Sequence, residues 1–412
     1  MSVLLTRRAV VQVGIEGAYN VPAVLGLNDG VLVADPTYTV EPNVLEREFT
    51  RDSLSVTPHI IGRKLARMEF QTELRGNGKQ NSGLKADAAI ITRLMRACGY
   101  KLTGNPDPGV KGVFDFGDHA NRVSWAADAS NATNTDVIAY FLAVTTGGAS
   151  GTAQIEVTSD IAGEESAAAV VTSAAPFDVG TKGLVLTPTF NGDLVVGQRW
   201  VVYLVPPGLS LDPISDDFES VTLVMYKDGV KHLMPGAFGT FEIDATAGNF
   251  ATINWTFTGT YSKPIDEDMP NPDYERTLPS QVELARLRLH DFAAVVEQFT
   301  FNQGNDVQIR PDVSSSEGYI GTRLVARNPE GGVNPEADRV ANYDFWEKLS
   351  TAERMPFQMR VGSDPGNTVW VLAPGTQYTG LTYTDRNGIL AYDAGLKFPA
   401  YNDDDEVCFF FC

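Results

Sequence analysis

Residues 64–74 read KLARMEFQTEL, and the alternation of apolar and polar side chains in this stretch decides the fold class. Side chains two residues apart share a face of a β-strand, so a strand that is buried on one side shows this period. The apolar positions are Ala66, Met68, Phe70 and Leu74, and the polar positions are Arg67, Glu69, Gln71 and Glu73. The stretch therefore predicts a half-buried strand.

The same period continues in the middle of the chain. Val221–Tyr226 and Val230–Met234 flank Lys227-Asp228-Gly229, and Asp-Gly between two apolar runs is a strong hairpin signal. A second strand pair is predicted across the turn Ala247-Gly248-Asn249. Its apolar positions are Phe241 and Ile243 on one strand and Ile253, Trp255 and Phe257 on the other.

Only two segments show helical spacing. The first covers residues 84–98, with Ser82 as the candidate N-cap and Gly99 as the stop, and the second covers residues 342–354. The apolar residues at helical spacing are Ile90, Leu94 and Cys98 in the first and Phe345, Leu349 and Ala352 in the second.

The segments that follow the two helices are alike, which indicates a duplication. After the second helix, Phe357–Val361 and Thr368–Leu372 flank a turn, and another strand pair surrounds Arg386-Asn387-Gly388. The order helix, hairpin, strand, glycine turn and long final strand therefore occurs twice. A strand pair also precedes each helix, at roughly Val44–Leu74 and Val295–Ala326.

The first copy is interrupted by a stretch that is rich in Ala, Thr, Ser, Val and Gly, between Tyr100 and Asp212. Turns separate short predicted strands there about every ten residues, a pattern typical of a small β-sandwich. The predicted strands are Ala153–Thr158, Ala169–Ser173, Leu184–Thr189 and Trp200–Val205. The ends at residues 104–108 and 206–208 are rich in Pro and Gly like linkers, which predicts an inserted domain on the surface.

The sequence thus predicts a mainly β fold, with two sandwich-like or barrel-like repeats that each carry one flanking α-helix. The insert is predicted to be a small β-sandwich of immunoglobulin-like type. The predicted parts are an N-terminal arm at 1–43, a first repeat at 44–102 and 211–264, the insert at 103–210, a linker at 265–294, a second repeat at 295–400 and a C-terminal tail at 401–412.

The charge balance excludes some classes of partner. The 412 residues include 52 Asp and Glu against 32 Lys and Arg, so the net charge is −20. A surface this acidic repels nucleic acid and anionic lipid. No uncharged apolar run reaches about 18 residues, so no membrane-spanning helix is expected. Arg7-Arg8 follows the short apolar start instead of preceding it, unlike a secretory signal, so a cytoplasm-like compartment is expected.

Motifs for catalysis or phosphate binding are weak. Gly78–Lys85 has the glycine spacing of a phosphate loop but lacks the Lys-Ser/Thr pair after the second glycine, which favours a strand-to-helix loop. The histidines have no partner at the spacing of metal ligands or of a catalytic triad. They are His59, His119, His232 and His290. The sequence therefore predicts no enzymatic activity and no cofactor.

Metal motifs are equally weak. Asp403–Glu406 and Asp266–Asp268 lack the alternating spacing and central glycine of a calcium loop, so solvated linkers are favoured. Cys408 and Cys412 are too few for a structural metal, which needs about four ligands. An apolar strand at Val407–Phe411, docked on a neighbouring chain or on the chain's own sheet, is favoured instead.

The order of several loose patterns resembles the major tail proteins, or tail tube proteins, of long-tailed non-contractile bacteriophages. The likeness covers most of the chain outside the insert, and it depends on the order of the patterns more than on any one of them. The patterns are Arg7–Pro22 with Gly14–Pro22 inside it, Leu94–Tyr100, Gly239–Tyr261, and Arg310-Pro311-Asp312 through Asn334-Pro335-Glu336-Ala337.

The resemblance implies a β-sandwich with one flanking helix, six of which form a ring, with stacked rings forming a tube for genome DNA. Members that carry the fold twice form trimeric, pseudo-hexameric rings, which suits the predicted duplication. The resemblance also implies a place in the phage tail after assembly in the host cytoplasm. The implied partners are other copies of the chain, the tape measure protein, and tail terminator and baseplate proteins. The mid-chain insert departs from the simplest members.

The acidity agrees with a conduit, since each Lys or Arg on a phosphate would add affinity and drag. Three chains would carry 3 × −20 = −60 per ring, and DNA would pass without specific binding. The candidates for the lumen are carboxylates on polar strand faces, namely Glu69, Glu73, Glu242 and Asp244.

Two other classes of function stay open on the sequence alone. A carbohydrate-binding or carbohydrate-active β protein would stack sugars on aromatic residues such as Trp125 and Trp200 and use paired carboxylates. A capsid-decorating or adhesin protein built of sandwich domains would share the composition.

Overall fold

The computed structural model describes residues 4–5, 7–47, 49–76, 90–116, 122–283, 285–315 and 317–412. Strands make up 53% of the chain and helices 4%, so the fold is mainly β, as the alternation predicts. The helical elements in the described part are two short α-helices and a 3-10 turn at Leu27–Asp29.

The elements fall into three groups along the chain. The first group is β1 (Ala9–Ile15), β2 (Gly30–Val31), β3 (Ala34–Leu45), β4 (Ile60–Glu73), α1 (Ile91–Arg96) and β5 (Tyr100–Asn105). The insert contains β6 (Gly109–Asp115), β7 (Val123–Asp128), β8 (Ile138–Thr146), β9 (Gln154–Ser159), β10 (Ser166–Val170), β11 (Phe177–Val179), β12 (Leu184–Phe190) and β13 (Arg199–Val205). The last group is β14 (Gly208–Pro213), β15 (Val221–Lys227), β16 (Val230–Thr246), β17 (Thr252–Thr260), β18 (Ile265–Asp266), β19 (Arg288–Leu289), β20 (Val296–Asn302), β21 (Asp306–Pro311), β22 (Tyr319–Ala326), β23 (Glu330–Pro335), α2 (Phe345–Ser350), β24 (Met355–Val361), β25 (Val369–Arg386), β26 (Ile389–Lys397) and β27 (Cys408–Phe411).

One antiparallel sheet of eight strands organises the molecule. Its order is β3-β4-β17-β16-β20-β23-β26-β25. The alternation of residues 64–74 is confirmed, because Met68 and Phe70 are buried while Glu69 between them is exposed. The sheet is therefore apolar on one face and polar on the other.

Two smaller sheets cover the apolar face. One consists of β2, β1, β15 and the first part of β16, and the other of β19, β24, the first part of β25, β27, β14 and β5. β16 and β25 are 17 and 18 residues long, and each passes from a covering sheet into the eight-stranded sheet. Continuous backbone thus connects the layers.

Phe241 lies at the centre of the core between the layers. Its ring lies 5.2 Å from Trp255 and 5.8 Å from Phe301 in the eight-stranded sheet. On the covering side it lies 6.0 Å from Tyr100 of β5 and 5.8 Å from Phe409 of β27. Aromatic pairs at these centroid distances add to the energy of burial, so Phe241 holds both halves of the chain together.

The strand order supports the predicted duplication. In the eight-stranded sheet, β3-β4-β17-β16 is followed by β20-β23-β26-β25. Each half begins with the two strands that come first in the chain, continues with the strand that comes last, and ends with the long strand. The long strands share the sequence Leu-x-Pro-Gly, at Leu233–Gly236 in β16 and Leu372–Gly375 in β25. The next residue in each case, Ala237 or Thr376, is the last one that pairs with β15 or β24.

The helix that precedes the insert ends at Arg96, slightly before the predicted end at Cys98 and the predicted stop at Gly99. Gly99 has a φ of +86°, the left-handed conformation that commonly ends helices. The predicted start at residue 84, the N-cap Ser82 and the glycine-rich stretch Gly78–Lys85 lie outside the described residues, and α1 itself is Ile91–Arg96.

The second helix is shorter than predicted. It is Phe345–Ser350 rather than Asn342–Arg354, because its ends are fixed locally. The Asp344 carboxylate accepts a hydrogen bond of 2.9 Å from the backbone N–H of Glu347 and caps the start. Ala352, with a φ of +51°, follows the end.

The predicted Asp-Gly and Asn-Gly hairpins are confirmed, and Ala247-Gly248-Asn249 likewise lies between the paired strands β16 and β17. Asp228-Gly229 joins β15 to β16, and Asn387-Gly388 joins β25 to β26. The φ values are +46° and +98° in the first turn and +52° and +87° in the second. Two consecutive positive φ values give the turn twist that matches the twist of the strands.

Both terminal segments belong to the chain's own sheets. β1 pairs with β15 along its whole length, and Val11 and Val13 are fully buried. Within the predicted arm, β1, β2 and most of β3 thus belong to the chain's own sheets, and β3 begins at Ala34. β27 lies between β14 and β25, so of the two predicted positions for the terminal apolar strand the structure has the one in its own sheet.

The insert is built of two sheets that enclose their own apolar core. The sheets are β10-β9-β8-β13-β6 and β11-β12-β7, and residues such as Leu142, Leu186 and Trp200 fill the space between them. The predicted linkers are instead the end of a paired stem. β5 and β14 pair up to Asn105 opposite Gly208, where the insert begins.

The insert packs against the body through the outer face of its larger sheet. Phe141 and Tyr203 of the insert share an apolar cluster with Trp370 of β25 and Phe410 of β27. Trp370 and Phe410 are fully buried. The insert is therefore docked on the body, and its removal would expose both side chains.

Two carboxylates of the insert bind cations of the body at this contact. Asp136 lies 2.6 Å from both Arg286 and Arg360 and accepts a hydrogen bond of 2.8 Å from the Trp370 indole. The side chain of Asp160 is fully buried, 3.4 Å from Arg286. Burial raises the pKa of Asp160, and the Arg286 guanidinium opposes this effect.

We expect Arg286→Met to destabilise the folded chain by about 3–5 kcal/mol, because Asp160 would keep a buried charge without its cation. Chemical denaturation measures this loss. In the variant the pKa of Asp160 in the folded chain rises further. The folded chain then favours the protonated carboxyl, so the stability that Asp160 contributes is present at low pH and is lost as pH rises through that pKa. The difference in the free energy of unfolding between the variant and the wild type should therefore narrow toward about pH 4.

Arg276→Met is the control, since Arg276 is 90% exposed and exposed pairs contribute about 0–1 kcal/mol. Equal losses for both variants would contradict the account.

Candidate functional site

The face of the eight-stranded sheet that points away from the core is the candidate site, which we call the polar face. Threonines, amides and carboxylates cover it because every second residue of these strands faces the core. One row across it consists of Gln71, Asn254, Glu242, Asn302, Glu330, Lys397 and Gln377. The next row begins Glu73, Thr252, Asp244, Thr300 and Gly332.

The four carboxylates predicted from the sequence all lie on this face. Glu73 and Asp244 lie in the same row with Thr252 between them. Glu69 and Glu242 are exposed, and Glu73 and Asp244 are half-buried. The structure thus brings together residues that are about 170 positions apart in the sequence.

Each of the four carboxylates has a polar partner. The pairs are Glu69 with Arg67 at 2.9 Å, Glu73 with Arg75 at 3.4 Å, Glu242 with Asn302 at 2.8 Å, and Asp244 with Gln298 at 3.0 Å. Amide donors orient the two carboxylates of β16 without neutralising them, whereas Arg67 and Arg75 offset the charges of Glu69 and Glu73 on β4. The centre of the face therefore keeps its negative charge.

A shallow groove of 380 Å³ crosses the centre of the polar face. Glu242, Asp244, Asn302, Glu330 and Thr379 line it. Within the described ranges there is no group of three or more His, Cys, Asp or Glu side chains that could hold a metal ion. The groove offers hydrogen-bonding and negatively charged groups.

The polar face ends at two free strand edges. Among the described strands, β3 pairs only with β4, and the second half of β25 pairs only with β26. Pro36 and Pro42 bracket Thr37–Glu41 on β3, and proline cannot donate a backbone hydrogen bond. The free edge of β3 is therefore limited to about five residues that can pair with another strand.

Three carboxylates of the acidic runs that were predicted to be solvated linkers form ion pairs within the chain. Asp404 and Glu406 both bind Arg327, and Glu267 lies 3.0 Å from Lys231. Hydrogen bonds from Lys231 and Tyr226 lower the pKa of Glu267.

His290 and Cys98 have structural surroundings, whereas His59 is exposed. His290 is buried against the insert beside Asp291 and Arg199, and burial lowers its pKa. His119 lies outside the described residues. Cys98 is fully buried, and burial raises its pKa.

The tryptophans named for a carbohydrate site contribute to the core of the insert. Trp200 is 2% exposed, and its ring lies 5.5 Å from that of Trp125. Trp125 also lies 5.9 Å from Phe177. These rings pack on each other, and both tryptophans also line a cleft of 1310 Å³ between the insert and the body.

The sequence reasoning found the charged groups but not the free edges. Alternation identifies which residues share a face, and that signal placed all four carboxylates correctly on the polar side of their strands. Whether a strand lies at the edge of a sheet depends on pairing between distant segments, and the alternation of apolar and polar residues does not indicate that pairing. The two prolines of β3 are the only local signal, since proline is confined to edges and bulges of sheets.

Comparison with known proteins adds no relative. No family model matches the chain, and no curated protein matches it. Among the described residues no helix is long and apolar enough to span a membrane.

We expect neighbouring substitutions on β16 to differ sharply because they lie on opposite faces. Phe241→Ala should cost about 3–5 kcal/mol, the usual loss for a buried phenylalanine, whereas Glu242→Ala should change the free energy of unfolding by less than about 0.5 kcal/mol. Chemical denaturation of both variants under identical conditions measures the difference. A large loss for Glu242→Ala would mean that the polar face is not a solvated surface.

Proposed function

We propose that the chain is a virion structural protein that self-assembles into stacked trimeric, pseudo-hexameric rings. These rings form a tail tube through which genome DNA is ejected. The observation that carries the proposal is the pair of free edges, because the chain already contains one junction of the same kind. The resemblance of the sequence to tail tube proteins agrees with this function.

The internal junction joins the two halves of the eight-stranded sheet. Glu242–Thr246 of β16 pair with Gln298–Asn302 of β20, with Glu242 opposite Asn302. In the order of the two halves, β25 corresponds to β16 and β3 corresponds to β20. The second half of β25 is therefore expected to pair with β3 of a neighbouring chain, by the same antiparallel addition of a strand.

The register of that contact follows from two equivalent rows. The first row is Thr39, Arg67, Thr258 and Phe238, and the second is Asn302, Glu330, Lys397 and Gln377. Phe238 and Gln377 each follow the last residue that pairs with β15 or β24. Thr39 is therefore the equivalent of Asn302.

The partner of Thr39 is found by counting along β25. Inside the chain, Asn302 lies opposite Glu242, four residues after Phe238. The residue of β25 that corresponds to Glu242 is Thr382. It lies four residues after Gln377, plus one residue for the bulge in the pairing of β25 with β26. Thr39 of one chain is thus expected opposite Thr382 of the next.

Repeating the contact closes a ring of suitable size. Three chains of eight strands give 24 strands, and strands about 4.7 Å apart give a circumference of about 113 Å and a backbone diameter of about 36 Å. Strand tilt widens this value. If the polar face is turned inward, its carboxylates line a channel with room for a DNA duplex, and a negative lining avoids the phosphate contacts that would retain DNA.

The register predicts that the double variant Thr39→Cys/Thr382→Cys forms disulfides between chains under mild oxidation. Residues directly opposite in antiparallel strands have Cα atoms about 4.5–5.5 Å apart, within the range for a disulfide. A non-reducing gel should show a ladder that ends at three chains.

The matched control is Thr39→Cys/Thr256→Cys, since Thr256 lies on β17 in the interior of the polar face. It should give no ladder, and neither should the two single variants. Assembled rings in which the double variant stays uncross-linked would refute the proposed junction.

For the conduit itself, we expect the variant with lysine at Glu69, Glu73, Glu242 and Asp244 to assemble but to slow or block DNA ejection. Each added cation would bind phosphate, and the effect should grow at low salt, where screening is weak. The rate of DNA release from particles carrying the variant measures it.

The control carries glutamine at the three glutamates and asparagine at Asp244, which removes charge without adding cations. It should eject DNA faster than the lysine variant at every salt concentration. Normal ejection by the lysine variant at every ionic strength would show that the polar face does not line the conduit.

A further inference from the structure

Two equivalent positions on the apolar face of the eight-stranded sheet differ in exposure. The backbone N–H of Leu74 donates a hydrogen bond of 2.8 Å to the Ala251 carbonyl, and that of Ala337 donates one of 2.9 Å to the Leu390 carbonyl. This repeated hydrogen bond identifies Leu390 as the equivalent of Ala251. Ala251 is fully buried, whereas Leu390 is 55% exposed.

A second pair of equivalent residues shows the same difference. Ile243 lies opposite Ile253 in the pairing of β16 with β17, and Tyr383 lies opposite Tyr392 in the pairing of β25 with β26. Ile243 is 2% exposed and Tyr383 is 55% exposed. The apolar face is therefore covered at this end of the first half and open at the corresponding end of the second half.

The open region is lined by aromatic side chains that contact one another. Trp346 of α2 is 38% exposed, and its ring lies 5.6 Å from that of Tyr383. Tyr383 stacks on Tyr392 at 5.0 Å. We call Trp346, Tyr383, Leu390 and Tyr392 the aromatic patch. An exposed apolar patch on a folded chain marks an interaction site.

In the first half, β20 and the segment before β19 cover the equivalent region. Ile243 lies opposite Phe301 of β20, which is 1% exposed. Val282 is bound to the turn between β16 and β17, since it donates to the Asn249 carbonyl at 2.7 Å and accepts from the Gly248 N–H at 3.2 Å. Both covering parts belong to, or lead into, the second half of the chain.

The first half has an equivalent of β20 that is free to cover another chain. Tyr38 on β3 corresponds to Phe301, because it precedes Thr39 as Phe301 precedes Asn302. In the register derived above, Tyr38 lies opposite Tyr383 of the neighbouring chain, as Phe301 lies opposite Ile243 inside the chain.

The first half also has an equivalent of the segment before β19, namely the residues before β1. β1 pairs with β15 as β19 pairs with β24. Both segments are held at the turn that follows the paired strand. The Leu5 N–H donates to the Asp228 carboxylate at 2.6 Å, and the Ser280 hydroxyl donates to the Asn367 carbonyl at 3.2 Å. Leu4 and Leu5 are 51% and 55% exposed, so they have apolar surface to bury.

We infer that Leu4, Leu5 and Tyr38 of one chain cover the aromatic patch of the neighbouring chain. The inference rests on the proposed ring, in which β3 of one chain lies beside the second half of β25 of the next. One neighbour supplies all three side chains, because they lie in the same half of the chain. Burial of the apolar surface on both sides contributes about 25 cal/mol per Å² to the stability of the ring.

A photo-crosslinking amino acid at Leu5 in the assembled full-length chain tests the contact. We expect adducts between chains that map to α2 or to the hairpin of β25 and β26. The same amino acid at Val24 should give no adduct with either element. Val24 is 99% exposed, and its neighbour Ala23 is bound to Thr222 at the other end of β15 from Asp228. Rings in which Leu5 gives no adduct with either element would overturn the inference.

A second measurement uses the concentration at which rings form. Leu4→Ser/Leu5→Ser should raise that concentration at least tenfold, and so should Tyr383→Ser/Leu390→Ser. The quadruple variant should be less impaired than the product of the two effects, because either pair of substitutions already removes the same contact. Val24→Ser is the control and should leave the concentration unchanged.

The outcomes separate this contact from the ring itself. If rings and the Thr39/Thr382 disulfide form but the serine variants assemble normally, only the contact with the aromatic patch is refuted. If the chain forms no rings and the cysteine variant forms no disulfide, the proposed function is refuted together with it.

Discussion

The structure depends on the burial of only one face of the eight-stranded sheet. Alternation puts Met68, Phe70, Phe241 and Trp255 on the inner face, where two further sheets and both helices cover them. Because the covering layers need the apolar face, the other face can only be polar and solvated. Its two free edges belong to the outermost strands of the sheet, β3 and the second half of β25.

The internal junction between β16 and β20 gives the proposed assembly its physical basis. The two halves of the sheet pair through the edges of β16 and β20. The corresponding edges, on β25 and β3, stay unpaired at the two ends of the sheet, and an unpaired edge can pair with a strand of another chain. The insert is held on the body by the Asp136–Arg286–Arg360 contact and by Trp370.

Much of the fold could be predicted from the sequence because its signals are local. Period-two alternation gave the strands and the faces of the four carboxylates, and Asp228-Gly229 and Asn387-Gly388 gave the hairpins. The docking of the insert and the pairing of β1 within the body were not predicted, and for β27 the sequence left open whether it joins the chain's own sheet or a neighbouring chain. Each of these contacts joins segments that are far apart in the sequence. The ends of the insert, such as residues 104–108, are rich in Pro and Gly like linkers, and this composition does not show that the paired strands β5 and β14 continue into them.

The central claim is that the free edges close a ring of three chains. The most direct test is the mass of a single isolated ring, measured by mass photometry or native mass spectrometry after mild dissociation of the stacks. The account predicts about 134 kDa, three times the chain mass of 44.6 kDa. Six chains per ring would contradict the equivalence of the two halves. A chain that stays at 44.6 kDa at every concentration, or that forms open fibres, would contradict ring closure itself.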